Sequence, residues 1–226
     1  MVNRRGIVQV EFLIVIVPLL TFLLCLIQFG LLCGAKVLVA HAAQQAARAA
    51  VVVLPDDSEG ADYAGDELNR VGPGEGLDAY RQAPDNGRYE TIRMAARLPL
   101  SPLSPSPAAV MESSVRRALD TGFVQQLLGL EGWSRYAVAL SFPDGAGGYL
   151  SAFGARVPIT AEITFLFPCR VPLANNLMCH SWLAIPEDRR ELLTLRGNPL
   201  SFVGIAAGWT FVALQAAHTL PNQGRR

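Results

Sequence analysis

Charge is what this 226-residue sequence has least of. Asp, Glu, Lys and Arg make up 17% of it, against roughly 25% in an average soluble chain, while hydrophobic residues supply 51%. The charges that exist cancel, with 19 basic and 19 acidic residues. No net field therefore marks nucleic acid or an acidic substrate as a partner. Histidine is nearly missing as well: His41, His180 and His218 are scattered along the chain. There is no CxxC spacing, nucleophile elbow, phosphate loop or Ser/His/Asp constellation, and with these go the usual grounds for a metal site or a catalytic centre. The expectation is a non-enzymatic chain with no cofactor, no metal and no small-molecule substrate.

The absence of charge is complete over residues 12–35, where Thr21 and Gln28 are the only clearly polar side chains. As a helix rising about 1.5 Å per residue, such a run crosses the roughly 30 Å hydrocarbon core of a bilayer. Lipid offers no partners for loose backbone groups, so a helix is required. Arg4 and Arg5 precede the run, which places the short N-terminal end in the cytoplasm and the remainder across the membrane. Lys36 and Arg48 follow the run and weaken that orientation. Two other readings stand beside the anchor. Ala40-His41-Ala42 imitates a signal-peptidase site, but the apolar run is longer than the 7–15 residues of an ordinary secretory signal. Cys33 follows Leu31-Leu32 in the manner of a lipoprotein site, although Leu32 is larger than the residue such a site carries.

Cysteine is sparse and falls into two classes. Cys25 and Cys33 lie in the apolar run and read as small hydrophobes. Cys169 and Cys179 lie in the exported part, where an oxidising compartment permits a disulfide; two unpaired buried thiols are the alternative. Closing so short a loop is worth about 2–3 kcal/mol in the chain-entropy picture.

The apolar helix is expected to continue past the membrane. No Gly or Pro interrupts residues 35–54, so one helix over 7–54 is the natural reading. Ala42, Ala43, Ala46, Ala47, Ala49 and Ala50 would let other helices approach closely, unless the segment is a bare alanine-rich stalk. Residues 55–107 read as an acidic and Pro-rich loop region. Within it a short helix is expected around 62–71, a short strand over 88–98, and a linker over 99–107 whose prolines exclude helix and interior strand. Calcium ligation by the acidic residues lacks an EF-hand spacing.

Residues 108–220 read as an α+β head. Met111, Val115, Leu119, Phe123 and Leu127 recur at fourfold spacing over a helix at 108–128. Tyr136, Val138, Leu140 and Phe142 alternate, then a turn-rich break at 143–148 gives way to alternation from Val157 to Phe167. Period two over this length argues a half-buried antiparallel pair. A short charged helix follows at 187–195. The uncharged stretch 200–217 is read as holding a buried strand at 208–218, with entry into the membrane as its alternative, and 221–226 is a polar tail.

One feature of the N-terminus is more specific. Arg4-Arg5-Gly6 stands before Ile7, and Glu11-Phe12 opens the apolar run. A carboxylate at the mouth of a membrane helix is costly if drawn inward, and residence among headgroups is the plain reading of Glu11. The pattern nevertheless resembles the class-three signal of type IV pilins, in which a basic leader ends at a glycine and Glu is the fifth mature residue; counted from Ile7, Glu11 is the fifth. Gly6, Val10-Glu11-Phe12, Pro18-Leu19-Leu20, Phe29-Gly30 and residues 46–50 further resemble the TadE-like pseudopilins of tight-adherence (Flp-type) pilus systems, over roughly residues 4–50.

The resemblance implies a leader over 1–6, removed between Gly6 and Ile7 by a membrane prepilin peptidase. It implies a new amine at Ile7 paired with Glu11, an aromatic at Phe12 belonging to the signal, and a kink or softening of the helix at Pro18. The implied function is that of a minor pseudopilin in pilus initiation or assembly. Its partners would be the inner membrane, the peptidase, other pilin helices and assembly proteins. A membrane-tethered periplasmic scaffold or binding domain outside any filament is the alternative. The expected architecture is pilin-like: a long transmembrane helix, then a periplasmic head with an antiparallel sheet and a packed helix.

Overall fold

The computed structural model describes residues 4–55, 69–85, 87–104, 130–154, 156–169, 171–195 and 209–222. Helix α1, Arg4–Val53, runs unbroken through the apolar run and the alanine-rich stretch. An antiparallel four-stranded sheet lies against its second half. The strands are β1 (Val138–Ser141), β2 (Ile159–Pro168), β3 (His180–Ser181) and β4 (Thr210–Leu220), in the order β1-β2-β4-β3. The layout is α+β, as the period-two segments imply.

β2 and β4 form the body of the sheet, paired from Ile159 with Leu220 to Pro168 with Phe211. β1 adds to the free side of β2, with Val138 opposite Phe165. The stretch read as a buried strand at 208–218 is therefore β4, a sheet member, but of its described residues only Phe211 is buried and the rest are half-buried or exposed. The alternation of β2 predicts a half-buried strand, and its first four residues do alternate between buried and half-buried, but Ile163 to Pro168 are buried throughout. α1 covers the sheet, and helix α4 (Leu130–Ala137), immediately before β1, also contacts β2. Between β1 and β2, Asp144 accepts from the amides of Ala146 and Gly148 at 2.8 and 2.7 Å, and Gly145 and Gly147 take positive φ. This is the turn expected at 143–148.

α1 meets the sheet through small residues. Ala35, Val39, Ala42, Ala43, Ala46, Ala47 and Ala50 are buried at helical spacing, so strands approach the helix axis closely. The alanines expected to face other chains, or nothing, are covered by the head of the same chain; of the six only Ala49 remains half-buried.

The region read as loop holds helices on the described residues. α2 (Leu77–Gln82) carries buried Ala79 and Tyr80. Residues 88–98, expected to be a strand, form helix α3 (Arg88–Arg97). Its buried residues, Tyr89, Ile92, Arg93, Ala96 and Arg97, recur at three and four, which is the helical period. Counting its arginines as polar hides that stripe. They are buried because each is paired: Arg93 and Arg97 both bind Glu90, at 3.1 and 3.2 Å, and Arg93 also donates to the carbonyl of Arg135. Arg88 donates to the carbonyls of Val53 and Leu54 at 2.7 and 3.0 Å, capping the C-terminus of α1 with a positive charge.

The Pro-rich stretch also departs from expectation. Leu98–Leu103 is a 3-10 helix with Pro99 in its first turn and Leu100 fully buried; Pro excludes α-helix interior but is tolerated at a first turn. The charged helix at 187–195 is present as α6 (Glu187–Thr194). The helix expected at 108–128 and most of that expected at 62–71 lie outside the described residues; Asn69, Arg70 and Val71 are not helical.

Candidate functional site

The residues of the expected cleavage signal lie on the first turns of α1. Arg4, Arg5, Gly6 and Ile7 have helical backbone, and Glu11 and Phe12 are exposed. Ile7 and Glu11 are four residues apart, one turn up the same face of the helix. Pro18 sits inside α1, where its ring removes the hydrogen bond to the carbonyl of Ile14. One turn on, the Thr21 hydroxyl donates to the carbonyl of Val17 at 2.8 Å, so this polar side chain is satisfied within the helix.

From Glu11 to Ile27 no residue of α1 is buried. The first is Gln28, which is fully buried and accepts a hydrogen bond from the Val171 amide at 3.3 Å. Gln28 is thus the point at which the head begins to cover the helix. Sequence reasoning noted it only as an exception in an apolar run, and that exception was the available signal, because a lone polar group in such a run needs a partner. Eight residues further on, Lys36 donates to the carbonyl of Gln215 on β4. α1 therefore has two halves, a bare apolar rod and a rod clasped by the sheet.

Cys169 and Cys179 are joined in a disulfide, with their Cα atoms 6.5 Å apart. The bridge closes a loop that contains the short helix α5 (Ala174–Met178) and leads from the end of β2 into β3. Cys25, on the bare half of α1, and Cys33, just past Gln28, are free. Among the described residues, no three of His, Cys, Asp and Glu are grouped as metal ligands. A cleft of about 400 Å³ is lined by Arg81, Ala83, Asp85, Arg93, Arg135 and Tyr136. Arg81 is paired with Asp78 at 2.9 Å and Arg93 with Glu90, so two of its cations are already engaged.

The continuous helix, its bare first half and the glycine and glutamate at its start set the frame for comparison. Residues 6–48 match the family model of TadE-like protein. The match opens on Gly6 and closes on Arg48, wholly inside α1, so the TadE-like segment is the rod itself together with most of the clasped half. The family is the one the N-terminal pattern resembles. A TadE-like segment points to a protein associated with tight-adherence pili, a structural rather than catalytic setting. No curated protein and no solved structure matches the chain.

Proposed function

We propose that this chain is a minor pseudopilin of a tight-adherence pilus, anchored in the bacterial inner membrane with its N-terminus cytoplasmic and its head periplasmic, and acting in pilus initiation or assembly. The observation that carries the reading is the coincidence of the TadE-like match with a helix whose first half is apolar and uncovered. Prepilin peptidase would cut between Gly6 and Ile7. The rod left free, residues 7–27, is then about 30 Å long at ~1.5 Å per residue, the thickness of a hydrocarbon core.

Glu11 gains a partner in this scheme. Cleavage creates an ammonium at Ile7, one turn from the Glu11 carboxylate on the same face, or beside that of a neighbouring subunit. Pairing offsets the cost of holding either charge in lipid. The size of the head suits a minor component better than the major pilin, whose chains are very short in this system. It gives the subunit surface for contact with other pilin helices and assembly proteins.

The test is the mature N-terminus, read by mass spectrometry after expression with and without the system's prepilin peptidase. A chain starting at Ile7 only when the peptidase is present, and lost in Gly6→Leu, is the expected result. An intact N-terminus under both conditions would replace the pseudopilin with a membrane-tethered scaffold.

A further inference from the structure

We propose that residues 171–185, the disulfide-closed loop and the turn after it, form a lipid-binding foot that seats in the interfacial layer of the membrane crossed by α1. The inference rests on the anchoring role of α1 but concerns a different part of the chain.

The first argument is position. Val171 donates to Gln28, and Lys36 donates to Gln215. From Gln28 to Lys36 is about 12 Å along a helix, and from Phe211 to Gln215 is about 13 Å along a strand. β4 therefore keeps pace with α1, and His180, which pairs with Phe211, marks the end of the sheet nearest the rod. The loop hangs from that end. It reaches Gln28, inside the uncharged run 12–35, at a level where uncovered faces of α1 present Phe29 and Leu31. Whatever solvent surrounds Phe29 and Leu31 also meets the loop.

The second argument is surface chemistry. Between Arg170, which stands beside Cys169 at the start of the closed loop, and Glu187 the sequence contains no Asp, Glu, Lys or Arg. Leu173, Leu177 and Leu183 are 51, 68 and 66% exposed, although Val171, Ala174, Cys179 and Trp182 beside them are buried. One exposed leucine is ordinary; three within residues 173–183, on a segment whose other apolar side chains are buried or half-buried, mark a surface for a partner or a membrane. Leu173 is held at φ 64°, a conformation that bulky side chains avoid and that persists only where the surroundings enforce it. The tight turn across it, closed by the Ala174 amide donating to the carbonyl of Pro172 at 2.8 Å, holds it there. Asn175, Asn176, His180 and Ser181 interleave with the leucines, the mixture that suits the boundary between headgroups and acyl chains rather than the hydrocarbon interior.

The test uses the full-length chain in vesicles of phosphatidylethanolamine and phosphatidylglycerol carrying brominated acyl chains. In a Cys25→Ala/Cys33→Ala background with the disulfide intact, single cysteines replace Phe22, Leu177 or Val157 and carry an environment-sensitive fluorophore. Val157, half-exposed and beside the far end of β2, is the reference for solvent. The Phe22 site is expected to be strongly quenched, and the Leu177 site quenched several-fold more than the Val157 site. Adding Leu173→Glu should return the Leu177 probe towards the Val157 level while the Phe22 probe is unchanged. If the Phe22 site is quenched and the Leu177 site matches Val157, the foot is wrong and the anchor stands. A Leu177 probe that is shielded from water without bromine quenching would mean that the loop meets protein, and would also overturn the proposal. Lack of quenching at Phe22 removes the anchor and the foot with it.

Discussion

Tyr80 shows how a single side chain ties α2 to the segment around the 143–148 turn. It is almost fully buried, donates its hydroxyl proton to the carbonyl of Leu150 and accepts from the amide of Phe142 at 3.2 Å. Its ring meets that of Tyr89 edge-on at 5.4 Å. Burial drives its pKa far above the usual tyrosine value, and the neighbouring Tyr89 adds to the rise while the Phe142 amide opposes it. The folded state thus holds this proton more tightly than the unfolded chain. Its contribution is complete below the unfolded pKa of about 10 and is lost as pH rises beyond it, at up to about 1.4 kcal/mol per pH unit. Tyr149 shifts in the same direction, through burial first and then Asp188, but its partial exposure makes its share small. Urea denaturation of the detergent-solubilised chain should therefore show stability falling steeply above about pH 10. In Tyr80→Phe the plateau near neutrality should drop by about 1–2 kcal/mol, because a buried amide and carbonyl lose their partner, and the alkaline slope should flatten. An unchanged slope in Tyr80→Phe would show that other groups carry the pH dependence.

At the scale of elements the alanine stripe of α1 is the most demanding feature. Ala43, Ala46, Ala47 and Ala50 are completely buried, and the helix lies against β2, β4 and α3. A larger side chain has no room without pushing the sheet away. Ala46→Leu should destabilise the folded chain by about 1–3 kcal/mol, whereas Ala40→Leu, on an exposed position of the same helix, should leave the denaturation midpoint unchanged. Equal effects would mean that the stripe is not a packing surface. This same stripe explains what was legible in the sequence. The length of α1, the β2 and β4 strands and the charged helix α6 all follow from period and composition, because each obeys one rule along its own length. What covers the alanines does not, since a stripe of small residues fits a foreign helix and a domestic sheet equally well. α3 was misread because its buried face is built from Arg88, Arg93 and Arg97, which become core residues only through Glu90 and through carbonyls distant in sequence. The N-terminal resemblance rests on a linear pattern, and the TadE-like match begins within it, at Gly6. Gln28 was not, because its role depends on Val171, far along the chain.

For the molecule as a whole, α1 belongs to two structures at once. Its first half is a rod with no buried residue from Glu11 to Ile27, and its second half is part of the head's core, with Ala35, Val39 and Ala50 in the same apolar cluster as Ile163, Phe165 and Phe211. The end of that half is capped by Arg88, so the helix and α3 depend on each other. The boundary between anchor and head therefore falls within α1, near Gln28, and not at the end of the helix. Removing residues 1–27 should leave a folded head with an unfolding transition close to that of the full chain, since no residue from Glu11 to Ile27 is buried. Removing residues 1–50 should abolish the cooperative transition. That deletion strips the sheet of the helix that covers it and returns to water the apolar face now buried against Ala35, Val39, Ala43, Ala46, Ala47 and Ala50, and a domain is stable by only about 5–15 kcal/mol. Circular dichroism with thermal and urea denaturation reads both truncated chains. A head that folds without residues 1–50 would make α1 a detachable stalk, and the alanine stripe would then be free to pack against neighbouring pilin helices.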